Sequence, residues 1–122
     1  MPLDLLTSEA ILKSHPELHQ IYSQKYEISF ACSSGRQIAL NRRALSKVGV
    51  WIENLIDPSR LGLSGSATFE HYPFSRPRAH LSASRLTGPY KSKNGSSRSG
   101  NDCWYIRLSD ESDLRTLLKF YL

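Results

Sequence analysis

At 122 residues, with 39% hydrophobic and 22% charged residues, the chain is the size of one domain and carries enough apolar material for a single packed core, which excludes a wholly disordered protein. No apolar run approaches the ~20 residues needed to cross a bilayer, and "MPLDLL" has neither the basic nor the apolar region of a signal peptide, so a soluble, cytoplasmic protein is expected. The net charge of +5 is concentrated: residues 72–107 hold seven Lys/Arg against one Asp/Glu, while residues 1–71 are balanced at seven each. Charge gathered in one segment attracts an anionic partner better than the same charge dispersed.

The expected architecture is a single α+β domain over 1–122, with short N-terminal helices, a mainly antiparallel sheet built around a 26–40 hairpin and a strand at 103–108, and a C-terminal helix. In chain order, "LTSEAILK" begins with Thr7 or Ser8 as a helix N-cap, Glu9 in the first turn and Ile11 and Leu12 on the apolar face. Pro16 then divides the pattern, and Leu18, Ile21 and Tyr22 recur at a spacing that predicts a second short helix. "YEISFACSSGRQIAL" changes to period two. Tyr26, Ile28, Phe30 and Cys32 fall on one side and Glu27, Ser29 and Ala31 on the other, with a turn at Ser33-Ser34-Gly35 before Ile38 and Leu40 resume.

"NRRALSKVGVWIENLIDP" fits two periods, because Leu45, Val48, Ile52 and Leu55 suit a helix while Val48, Val50 and Ile52 suit a strand. Asn41 as N-cap and Pro58 as a stop predict a helix over 42–56, in which Gly49 costs about 1 kcal/mol. In that helix Trp51 is a core residue; in a strand it turns away from the Val/Ile face and becomes a candidate contact. A loop-rich stretch with a short strand at 67–72 follows. Residues 91–101, "KSKNGSSRSGN", contain no apolar side chain and are expected to be a mobile basic Gly/Ser loop. Cys103–Leu108 alternates again, placing Trp104, Ile106 and Leu108 on the core face and Cys103, Tyr105 and Arg107 on the other. "SDESDLRTLLKFYL" closes the chain as a helix with Ser109 as N-cap and acids at its positive end. Cys32 and Cys103 read as reduced core thiols rather than a bridge. Asn94-Gly95-Ser96 is a glycosylation sequon without a secretory signal to give it effect.

Catalytic signatures are missing. "HPELH" places His15 and His19 four apart, but a zinc-binding helix needs Glu directly after the first His, and Pro16 stands there instead. There is no Gly-x-Ser-x-Gly or Cys-x-x-Cys; "GLSGSATF" lacks the lysine of a phosphate-binding loop; and no strand carries an acid followed by Lys at nuclease spacing. The chain therefore reads as non-enzymatic, with no metal and no cofactor. The motifs of homeodomains, zinc fingers, RNA-recognition sheets and KH domains are also missing.

What remains is a basic and aromatic constellation: Arg76, Arg78, His80, Arg85, Lys91, Lys93 and Arg98, interleaved with Tyr72, Phe74 and Tyr90. Lys and Arg reach phosphates, and neutral Ser and Asn add hydrogen bonds, so the segment predicts nucleic-acid binding, with DNA as first choice and RNA as second. Arg42 and Arg43 read as an exposed helical turn able to extend that surface. Tyr105 and Arg107 continue the grip onto rigid structure if their face of the strand is open. The alternative is an adaptor or inhibitor that holds an acidic protein through the same surface.

Overall fold

The computed structural model describes residues 2–43, 46–53, 55–72 and 103–122. Six strands join in one antiparallel sheet, ordered β1-β2-β3-β4-β6-β5, with one helix at each end of the chain. The α+β architecture thus follows the expectation, while several of its elements do not.

Helix α1 (Leu5–Ser14) starts earlier than Thr7, because the Asp4 carboxylate accepts from the Thr7 backbone N–H at 2.7 Å and caps it. No second helix follows Pro16. Residues Leu18–Gln24 form strand β1, antiparallel to β2 (Glu27–Cys32), and the pairing shifts between Gln20 and Tyr22. Ile21 is the extra residue of this bulge and is exposed. A bulged strand breaks period two, so Leu18, Ile21 and Tyr22 acquire a helix-like spacing without forming a helix.

The β2–β3 hairpin is as expected, with β3 at Gln37–Asn41. Gly35 in its turn has φ 92°, a conformation that favours glycine. Tyr26 is not on the strand's apolar side: it sits in the β1–β2 turn and is exposed. The helix expected over 42–56 is also absent. Asn41 Oδ1 accepts from the Arg43 backbone N–H at 2.9 Å and closes a local turn, after which Val48–Glu53 forms β4 between β3 and β6. Pairing on both sides, with Val48, Val50 and Ile52 all buried, outweighs helix spacing in a segment rich in β-branched residues.

A short 3-10 turn (Pro58–Arg60) leads to β5 (Thr68–Tyr72), and β6 (Cys103–Leu108) pairs with both β4 and β5. Helix α2 (Glu111–Tyr121) is capped by Asp110, whose carboxylate accepts from the Ser112 N–H at 2.9 Å; Ser109, the expected cap, instead accepts the Leu3 N–H on its carbonyl. Asp113 does more than neutralise the helix end. It is buried and takes both the N–H and the hydroxyl of Ser64, tying the loop before β5 to α2.

Both helices contribute to the main core, where Ile11 and Leu12 of α1 and Leu114, Leu117, Leu118 and Tyr121 of α2 meet Ile28, Phe30, Ile38, Leu40, Val50, Ile52, Ile106 and Leu108 of the sheet. Each such aliphatic or Phe side chain contributes about 1.5–3 kcal/mol on full burial. The Tyr121 hydroxyl is satisfied within the core, donating to the Gln37 carbonyl at 2.6 Å and accepting from the Glu53 N–H at 3.1 Å. Cys32 and Cys103 are buried and are not joined in a disulfide. Among the described residues no helix is long and apolar enough to cross a membrane.

Candidate nucleic-acid interface

The face of the sheet opposite the main core is organised around one transverse row. Ser29, Ala39, Trp51, Tyr105 and Glu70 are successive register partners across β2, β3, β4, β6 and β5. Small residues at Ser29 and Ala39 leave room for the two large rings beside them. Trp51 and Tyr105 lie with centroids 4.4 Å apart and tilted by 40°, a geometry worth about 0.5–1.5 kcal/mol beyond burial. The Tyr105 ring extends over Gly49, where an added Cβ would fall 1.8 Å from its hydroxyl oxygen. Asn41 Nδ2 donates to that hydroxyl at 3.1 Å.

These contacts place the three residues on which the second face was to be judged. Trp51 is a strand residue pointing away from the main core, yet only 3% exposed; Tyr105 is 5% exposed. Together with Ala39 and Cys103 they form a second buried cluster. The side chain of Arg107 is 46% exposed, with its guanidinium 4.9 Å from the Tyr105 ring centre and 3.5 Å from a Glu70 carboxylate oxygen. An ion pair so exposed contributes at most about 1 kcal/mol. Of Tyr105 and Arg107, Arg107 is the side chain that reaches solvent.

The two ends of the sheet carry different chemistry. At one end β5 leads into residues 73–102 and β6 begins, and Tyr72 is paired directly with Cys103, so the segment leaves and rejoins the sheet at adjacent positions. Arg36 on this end donates to the Tyr121 carbonyl at 2.5 Å, and Glu53 Oε2 accepts from the Gln37 N–H at 2.8 Å. Burial raises the Glu53 carboxyl above its ordinary value against these hydrogen bonds, and burial likewise pushes the Tyr121 phenol up.

Arg107 lies four residues along β6, about 13 Å from that junction, at the other end. There the β1–β2 turn with Lys25 and Tyr26, the residues following β3 and the residues preceding β4 also terminate. The Arg42 N–H donates to the Tyr26 carbonyl at 2.9 Å, and the Arg42 guanidinium makes two 2.9 Å bonds to the Glu9 carboxylate and a third to the Ser23 hydroxyl. Arg42 is therefore a structural tie between α1 and the sheet, rather than the exposed helical turn expected. Its hydrogen bonds hold the Glu9 carboxyl down to about 2, against a smaller effect of burial, with Lys13 adding to the shift. Lys47 donates to the Ser66 carbonyl. Arg43 and Lys25 differ: their charged groups lie 4.5 and 5.1 Å from the Tyr26 ring centre, and neither forms an ion pair among the described residues.

Arg76, Arg78, Arg85, Tyr90, Lys91, Lys93 and Arg98, and the 91–101 loop, lie outside the described residues. The two histidines of "HPELH" sit on different elements: His15 follows α1 and accepts the Glu17 N–H on Nδ1, while His19 is in β1. Lys25, Tyr26 and Arg43 were not singled out together from the sequence, because their proximity depends on the β2–β3 pairing that runs Arg42 beside Tyr26. No known protein family, curated protein or solved structure matches the chain.

Proposed function

We propose that the chain is a non-catalytic nucleic-acid-binding domain, with DNA as its preferred ligand, which contacts phosphates through the basic segment 72–107. One observation carries the reading: six of the segment's seven Lys/Arg, against a single acid, occur in a stretch whose flanking residues, Tyr72 and Cys103, are paired neighbours on a rigid sheet. Both ends of the segment are thereby anchored at one place, which supports a concentrated positive field rather than a dispersed one. Arg76, Arg78, Arg85, Lys91, Lys93 and Arg98 supply the phosphate contacts and Tyr90 a stacking surface. Tyr105 holds the ring over which Arg107 lies, and Arg107 itself belongs to the far end of β6.

The test is fluorescence anisotropy with labelled duplex DNA, single-stranded DNA and RNA. Micromolar or tighter binding to one of them at ~150 mM salt is expected. Changing Lys91, Lys93 and Arg98 together to Ala should weaken duplex binding at low salt and flatten the log-log salt slope by about 0.9 per lost contact. Failure to bind any of the three at 50 mM salt overturns the proposal in favour of an acidic protein as the partner of this surface.

A further inference from the structure

We infer that the end of the sheet formed by Lys25, Tyr26 and Arg43 is a second contact, for a single strand of nucleic acid, in which a base stacks on the Tyr26–Arg43 pair and Lys25 and Arg43 take the flanking phosphates. This does not rest on contacts by residues 73–102, since that stretch joins the sheet at the opposite end; of the basic segment only Arg107 of β6 lies at this end.

Three observations support it. The first is uncompensated charge. Lys13, Arg42, Arg60, Arg107 and Arg115 each face a carboxylate, and Arg36 and Lys47 are bound to carbonyl oxygens. Among the described residues Lys25 and Arg43 instead face the Tyr26 ring and no carboxylate, so their charge is not neutralised there. Lys119 shares that property over Phe120 but stands alone on α2.

The second is an aromatic ring presented rather than packed. Tyr26 is 47% exposed and lies outside both buried clusters. Its backbone is nonetheless held: the Arg42 N–H bonds its carbonyl, Asn41 Oδ1 holds the Arg43 N–H, and the Glu9–Arg42 pair ties the strand end between them to α1. A tyrosine on a held backbone has only two side-chain torsions to order when a base stacks on it.

The third is alignment. Arg107 terminates the same end of the sheet three strands away from β2, about 14 Å along the row of strand ends, and its 3.5 Å pair with Glu70 is exposed and weak enough to be exchanged for a phosphate. An aromatic face flanked by cations is the chemistry of sequence-tolerant single-strand recognition, and a duplex hides the base faces that it needs.

The experiment uses the full chain with a labelled dodecathymidine at 50 mM salt. Tyr26→Phe should bind within about twofold of wild type, because stacking needs the ring and not the hydroxyl, while Tyr26→Ala should bind about fivefold or more weakly. Lys25→Ala combined with Arg43→Ala should weaken binding and flatten the salt slope by about 0.7 per lost contact. Melting temperatures near wild type confirm that these exposed changes leave the fold intact. Wild-type affinity in both Tyr26→Ala and the double variant, equal losses in Tyr26→Phe and Tyr26→Ala, or no wild-type binding overturns the inference. A loss of dodecathymidine binding confined to the Lys91/Lys93/Arg98 triple variant overturns it and leaves the basic-segment proposal standing; a loss confined to the Tyr26 and Lys25/Arg43 variants supports it, while the basic-segment proposal is decided by the duplex measurement.

Discussion

On one face of the central strands, Ile28, Phe30, Ile38, Leu40, Val50, Ile52, Ile106 and Leu108 pack against helical Leu and Ile side chains. On the other, the row Ser29, Ala39, Trp51 and Tyr105 is also buried, but it combines two small residues with two large amphipathic rings, bordered by Asn41, Arg107 and Glu70. The first face is stabilised mainly by apolar area. The second depends on shape, since the rings fit only where Ala39 and Gly49 present little or no side chain. Alternation in a sequence identifies a strand without saying whether its more polar face meets solvent.

The largest loss on the second face is expected from Gly49→Ala. The new Cβ displaces Tyr105 from its place between Trp51 and the Asn41 amide, and the change should cost about 2–3 kcal/mol in urea denaturation. Combined with Tyr105→Ala, the loss should fall well short of the sum of the two single changes, because the clashing ring is gone. Additive losses would mean that the second face is not packed around this contact.

A smaller effect is expected where α1, which helps cover the first face, is tied to the sheet. Glu9→Gln removes the charge-assisted bonds to Arg42 and should cost about 1.5–2 kcal/mol at pH 7. The Glu9 carboxyl is held at about 2 in the fold against an ordinary 4.5, so its contribution is fully present above about pH 4.5 and is lost as pH falls toward 2. The gap between wild type and variant, followed by denaturation at a series of pH values, should therefore narrow across that window.

The smallest effect sharpens the polar part of the second face. Asn41→Ala removes the bond to the Tyr105 hydroxyl and the turn contact to the Arg43 N–H, and a loss of about 1 kcal/mol is expected in thermal denaturation.

Much of the fold was legible where local chemistry and tertiary pairing agree. Strict alternation marked β2, β3 and β6, and acidic capping with regularly spaced leucines marked α2. The two segments expected as helices and found as strands have separate causes. In β1 a bulge at Ile21 offset the period by one residue, and only its partner β2 reveals that. Around β4, Asn41 supplied a real hydrogen bond of the kind that caps helices, but it closes a turn to Arg43, and the choice of strand was made by β3 and β6 on either side. For the candidate site, the charge excess was readable by counting, whereas the Lys25–Tyr26–Arg43 corner joins residues from two turns and was not.

The bulge in β1 has a consequence for how these molecules meet one another. Among the described residues β1 is an outer strand of the sheet, and "LHQIYSQ" contains no Lys, Arg, Asp, Glu or Pro to discourage another strand from adding to its edge. The extra residue at Ile21 interrupts the even ladder that such an addition requires and bends the edge locally. An irregularity of one residue thus substitutes for the missing charges as protection against edge-to-edge aggregation, and deleting Ile21 would leave a regular, uncharged template at the border of the sheet.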